Sequence, residues 1–392
     1  MLAGGGARGA YEMGVLSVLA PVLEARGERV EILVGTSVGG INAAYLAANA
    51  HRPLSEAAEG GMDVWRNLRY RDAMRPLLSP SSLSKLARFL GTCLGLPVKA
   101  VPSLLDTAPL RKTLDRVIEF GRIADNVADG ALHAVGVVAT SYETGRSIVF
   151  HQGGVTPPTN DERAIDYVAA QLTNVHVLAS GAIPVVFPAV EVTEPASWRG
   201  WYGDGGVRLN APLDPALEFG AERVIVIGLN SAEAPAELPP ATRPDIFDGA
   251  SSLLGVLADQ LTNDVATLTA INEAVEQGVD SAKQGPRKKI PYIFVVPSDR
   301  MTIGRIALDV YTRRYKSAWA ILRSPNLGLL GRITDAARNP MHGELYSYLF
   351  LARDFIDELI ELGRADAQRW LDSEHDEWPW RVMRPAGERA AS

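Results

Sequence analysis

The chain has 392 residues, with 39 Lys and Arg against 46 Asp and Glu, a net charge of −7 and 47% hydrophobic residues. That balance excludes wholesale disorder and fibrous classes, and it supports two or three domains or one large α/β domain with an appendage. The acidic surplus argues against a general nucleic-acid binder, and a single cysteine, Cys93, excludes an intrachain disulfide framework and any multi-cysteine metal site.

In chain order, GGGARG opens a helix predicted from about Ala10 to Arg26, with Met13, Leu16, Leu19 and Leu23 recurring at three- and four-residue intervals. Glu12, a proline inside the apolar run and glycines in place of a basic segment read as mature protein rather than a secretory leader. Val30 to Val34 (VEILV) reads as a short strand, followed by GTSVGG and a small-residue helix, Ile41 to Ala50. Further strands are predicted at Ala134–Thr140, Ser147–His151, Val185–Val192, Val224–Leu229 and Tyr292–Val296. A helical stretch over Ile165–Ser180 precedes Ile183-Pro184, where the proline stops it. This alternation predicts a largely parallel sheet covered on both faces.

Three segments depart from it. Residues 64–105 are rich in Leu, Pro and Arg; Ser231–Asp245 is a Pro/Ala-rich linker; from Met301 to Trp370 the pattern is helical. No run approaches the roughly 18 apolar residues of a membrane span.

The strongest chemical signal is Gly35-Thr36-Ser37-Val38-Gly39, a G-x-S-x-G between a predicted strand and a predicted helix. A serine on so tight a turn is lifted out of the sheet, and the helix that follows favours negative charge beside it. Gly4-Gly5-Gly6-Ala7-Arg8-Gly9 also satisfies the dinucleotide fingerprint G-x-G-x-x-G. That fingerprint needs a full preceding strand and an acidic residue ending the next strand, and neither is present. A glycine loop rich in N–H donors reads better as an oxyanion hole. The serine needs a base, and Asp204-Gly205-Gly206 offers a carboxylate on a backbone that can approach closely.

Together these pieces resemble the patatin-like phospholipase family. GGGARGAYEMGVL is similar to its glycine loop and first helix, and GTSVGGINAAYLA to its nucleophile elbow. ASGAIPVVFPAVEV and WYGDGGVRLNAP resemble its sheet turn and aspartate block, in matching order over roughly residues 4–229. The resemblance implies a three-layer α/β/α fold with a mostly parallel sheet, and hydrolysis of lipid acyl esters by a Ser–Asp dyad without histidine. It implies Ser37 as nucleophile and Asp204 as base. The oxyanion-binding loop would be Gly4, Gly5, Gly6, Ala7, Arg8 and Gly9, with the first three amides as donors and Arg8 bracing it. Gly35, Gly39, Gly205 and Gly206 would support the elbow and the aspartate loop. No cofactor or metal is implied, and the partner is a lipid or acyl-ester substrate. Family members carry a buried strand before the glycines, whereas Met1–Ala3 alone precede them here, so the first strand is truncated or the true start lies upstream, and a truncated strand predicts a loosened loop. A weak or inactive lipid-binding scaffold is the alternative.

None of the six histidines shares metal-ligand spacing with another, and His342 reads as a loop residue rather than a triad member. Cys93 reads as packing in a reducing cytoplasm. Between Val64 and Ala100 stand seven basic residues and one acidic, interleaved with leucines, which suits either a peripheral membrane contact or a cap over the sheet. The expected division is a catalytic domain over 1–229 (cap at 64–105), a linker over 230–250, core-completing elements over 251–300 and a helical region over 301–392. In that last region the basic half before Pro340 and the acidic, amphipathic half after Leu349 could pair as a hairpin, or the apolar stripe could join two protomers, and the tail is expected to pack on its own domain rather than to anchor the protein.

Overall fold

The computed structural model describes residues 1–79, 84, 88, 103–231, 233, 248, 249, 272 and 289–382. The first part of the chain gives α1 (Gly9–Ala25), β1 (Ile32–Thr36), α2 (Val38–Ala48), α3 (Leu54–Asn67), α4 (Tyr70–Ala73), α5 (Ala108–Val117) and α6 (Gly121–Ala128). Then come β2 (Ala134–Ser141), β3 (Ser147–Gly153), β4 (Ile165–Ala169), α7 (Asn174–Ser180), β5 (Val190–Val192) and β6 (Gly200–Asp204). The remainder is α8 (Leu213–Glu218), β7 (Val224–Ile227), β8 (Tyr292–Val295), α9 (Thr302–Arg314), α10 (Ala318–Arg323), α11 (Pro325–Ile333), α12 (Pro340–Ser347) and α13 (Arg353–Leu371). Half of the predicted cap, most of the linker and of the 251–300 segment, and Cys93, lie outside the described residues.

Alternate residues along the central strands feed two separate cores, as a two-residue period requires when both faces are covered. Leu33, Val135, Val137, Ile148 and Phe150 join the core shared with α1, α2 and α13, while Val34, Val138 and Val149 join Phe219 and Ala216 on the other face. Three layers result.

The sheet is mixed, which corrects the expected mostly parallel arrangement. β1–β2, β3–β4 and β7–β8 pair parallel, but β2–β3, β2–β6 and β5–β6 pair antiparallel. Residues 142–146 are too few for the crossover that a parallel β2–β3 pair would need. Two strands went unpredicted: β4 occupies the start of the expected 165–180 helix, and β6 stands where a loop was expected. Only residues 190–192 of the 185–192 strand are extended in the sheet.

Residues 1–3 fill the place of a first strand. Leu2 forms parallel bridges to both Gly35 and Ile227, with Leu2 N–H donating to Val34 (2.9 Å) and Ala3 N–H to Ile227 (3.2 Å). They join β7–β8 to the rest of the sheet.

The C-terminal helices pack on this unit. A side chain at Gly14 would strike the Ile360 carbonyl, and one at Gly363 the Tyr11 carbonyl, so α1 and α13 cross backbone to backbone. Tyr11 also donates to Asp366 at 2.8 Å, and Phe355, Ile356, Leu359 and Ile360 are fully buried. Arg313 and Arg314 on α9 pair with Glu358 and Asp354 on α13. No described helix is long and apolar enough to cross a membrane.

Candidate active site

β1 and β6 take successive lengths of the same edge of β2. β1 runs parallel to β2 and ends with Thr36 opposite Val138; β6 runs antiparallel and ends with Asp204 opposite Ala139. The two strands therefore meet tip to tip, and the residues at their tips are Ser37 and Asp204. Ser37 Oγ donates to Asp204 Oδ2 at 2.6 Å.

Ser37 has φ 54° and ψ −121°, a sparsely populated conformation for a residue with a side chain, costing roughly 1–3 kcal/mol. Its surroundings hold it there. Ser37 N–H donates to Ser180 Oγ (2.8 Å), and Ser180 donates to the Val138 carbonyl (2.5 Å). Gly39 lies against the Leu2 carbonyl, where any side chain would collide, so the Met1–Ala3 strand can pass directly behind the elbow. Gly35 is similarly closed in by the Gly39 backbone. Asn42, one turn further along α2, donates to the Gly9 carbonyl (2.9 Å) and Glu12 (2.7 Å), and Trp65 donates to its Oδ1 (3.1 Å). Burial pushes the Glu12 carboxyl up to about 8.

Asp204 is positioned from both sides. Its Oδ1 accepts from Gly206 N–H at 2.7 Å, its own N–H donates to Ala182, and Thr140 donates to its carbonyl. Gly205 sits on the Val138 carbonyl. Both Ser37 and Asp204 are only 5% exposed. Burial raises the Asp204 carboxyl from an ordinary 3.8 to about 6, against the opposing hydrogen bonds from Ser37 and Gly206.

The glycine loop lies beside the serine: a Cβ on Gly4 would come within 3.2 Å of Ser37 Cβ. Its amides are not equivalent. Gly4 N–H donates to the Asn210 carbonyl, Ala7 N–H to Tyr348, Arg8 N–H to Gly5 and Gly9 N–H to Gly6. Among the described residues, the Gly5 and Gly6 amides have no protein acceptor.

The expected loosening of this loop is not seen. Gly6, at φ 62°, lies against the Tyr348 carbonyl, where a side chain would collide. Arg8 is 1% exposed; it donates to Ser347 Oγ (2.7 Å), Asn230 Oδ1 (3.0 Å), the Glu344 carbonyl (2.7 Å) and Glu344 Oε2 (2.5 Å). Its guanidinium also lies 4.1 Å over the Tyr348 ring.

The sequence reading did not single out Ser180, Asn210, Glu344 or Tyr348. The first two stand inside the ASGAIP and VRLNAP blocks, where a lone polar residue among apolar and small ones was the available signal. The last two are remote in sequence and carry none. His342 lies in α12, not a loop, with Nδ1 2.8 Å from the Thr334 carbonyl and Nε2 3.3 Å from Asp248. Among the described residues no histidine bonds Ser37 or Asp204, and no group of three or more His, Cys, Asp or Glu could hold a metal.

A model of the patatin-like phospholipase family matches residues 1–217. The chain belongs to the patatin-like phospholipase family. The family is one of lipid acyl hydrolases, and the match takes in the glycine loop, elbow and Asp204 of this patatin-like chain. Among solved structures, VipD from Legionella pneumophila is similar at 15% identity with a TM-score of 0.31, covering 75% of this chain and 60% of that one. This chain thus spans less than two thirds of VipD's length. No curated protein matches it.

Proposed function

We propose that the protein is a serine acyl-ester hydrolase of lipids, of phospholipase A or lysophospholipase type, working through Ser37 and Asp204. The observation that carries this reading is the 2.6 Å hydrogen bond from a strained elbow serine to a buried carboxylate of raised pKa. Ser37 Oγ attacks the acyl carbonyl as its proton passes to Asp204. The Gly5 and Gly6 amides receive the oxyanion, where a pair of fixed donors in a dry site stabilises developing charge. Collapse expels the alcohol, which takes the proton from Asp204. Water then attacks the acyl-enzyme with Asp204 again as base, releasing the fatty acid and restoring Ser37. The catalytic unit is proposed to be residues 1–229, with the 301–392 helices bracing its glycine loop through Arg8.

A fluorophosphonate probe tests this reading. It should label the full-length protein, and peptide mapping should place the adduct on Ser37. Folded protein that takes up no probe would instead support a lipid-binding scaffold.

The base must be ionised to accept a proton. With the Asp204 carboxyl at about 6, kcat/KM on a soluble short-chain ester should climb tenfold per pH unit below that value and level off above it. A profile still level down to pH 4 would remove Asp204 from the role.

A further inference from the structure

Beyond the catalytic site, α10 presents an apolar face that no described residue covers. Trp319 is 77% exposed and Leu322 74%, three residues apart and hence on one side of the helix. Ile321, on the other side, packs against Gly328 of α11. Leu78, 58% exposed, stands nearby, because Leu77 N–H donates to Asn326 Oδ1 (2.9 Å) at the start of α11. Large apolar side chains this exposed and this close together mark a contact surface.

The charges around it are one-sided. From Lys316 to Thr334 there is no acidic residue, and Lys316, Arg323 and Arg332 are exposed with no ion-pair partner among the described residues. Arg313 and Arg314, just before them, are paired to Glu358 and Asp354. In a chain of net charge −7, cations are left unneutralised beside an exposed tryptophan and leucine. Aromatic and aliphatic groups flanked by free cations suit the boundary of an anionic bilayer, where the rings enter the headgroup layer and the cations meet phosphate.

We propose that the face formed by Trp319, Leu322 and Leu78, with Lys316 and Arg323 at its rim, docks the protein on an anionic lipid surface. It rests on the hydrolase reading only in taking the substrate to be lipid. Tyr315, just before Lys316, packs edge-on against Phe350 at 5.4 Å, and Phe350 stands two residues beyond Tyr348, whose carbonyl holds the glycine loop.

Full-length protein is sedimented with vesicles of phosphatidylcholine alone or mixed with phosphatidylglycerol. Wild type should pellet with the mixed vesicles and be released by added salt. The double variants Trp319→Ala/Leu322→Ala and Lys316→Gln/Arg323→Gln should each lower partition about tenfold or more, with the rate on a soluble ester unchanged. Three results would overturn the proposal: wild type ignoring the mixed vesicles, either variant binding as wild type does, or Trp319→Ala/Leu322→Ala splitting a dimer without altering vesicle binding. Docking as described with no probe adduct on Ser37 would sink the hydrolase reading alone, and the reverse pattern would sink the docking alone.

Discussion

Ser37→Ala should lower ester hydrolysis by about 10⁴-fold or more, and Asp204→Asn by about 10³- to 10⁴-fold, in proteins that remain folded. The first removes the atom that the proposed mechanism acylates. The second leaves the serine hydroxyl with a partner that cannot accept its proton at neutral pH. The two variants should part company in stability. The folded Asp204 carboxyl titrates at about 6 and an ordinary one at 3.8, so between these values the native state binds more protons than the unfolded chain. Stability therefore falls as pH rises through that window, by about 3 kcal/mol in all, and stays low above it. Asparagine carries no charge to bury. Asp204→Asn should melt higher than wild type at pH 7 and lose that advantage near pH 4. Equal melting temperatures at both pH values would mean that the carboxylate is not held against a desolvation cost, and full activity in either variant would remove the dyad.

Glu344→Ala should destabilise the protein by about 2–3 kcal/mol and lower kcat on a soluble ester more than it raises KM. Arg8 is almost wholly buried, and Glu344 supplies its counter-charge, so the alanine leaves a guanidinium without compensation. The same carboxylate accepts from Gly304 N–H at 2.5 Å, tying α9 to α12. Loss of both contacts frees the segment whose Tyr348 carbonyl holds the glycine loop. Glu344→Gln can keep only one of the two acceptor contacts, because its amide nitrogen donates rather than accepts, and it should recover part of the rate. Deletion of residues 301–392 is the blunter version: it uncovers the face of α1 on which Phe355, Ile356, Leu359 and Ile360 pack. At about 1.5–3 kcal/mol each, those four side chains account for as much as a typical domain's net stability. The truncated chain should be insoluble. A soluble, active truncation would show that the helices are dispensable.

The elbow and the glycine loop were legible because each is a local event, set by glycines and a helix start within a few residues. β6 was not. GWYGD has two glycines in five residues and reads as a loop; only pairing with both β2 and β5 makes it a strand. β4 was lost for a related reason. IDYVA is a short apolar run that suits strand or helix equally, and the free edge of β3 decided the matter. The mixed sheet, by contrast, could be read from the sequence, since the six residues between the predicted strands ending at Thr140 and beginning at Ser147 cannot cross over. Which loop amides stay free could not be read, because Asn210 and Tyr348 claim their partners through tertiary contact alone.

The tip-to-tip meeting of β1 and β6 also orders events in time. The Ser37 hydroxyl and the Asp204 carboxylate it donates to are 167 residues apart in the chain. At ribosomal speeds that separation is roughly ten seconds or more of synthesis, during which Ser37 has left the ribosome without the carboxylate that the folded chain sets against it. The segment that secures Arg8 emerges later still. On the proposed mechanism the chain could therefore acquire its activity only after β6 and the helices that hold Arg8 have been made and packed, so catalysis would be the last property that folding delivers.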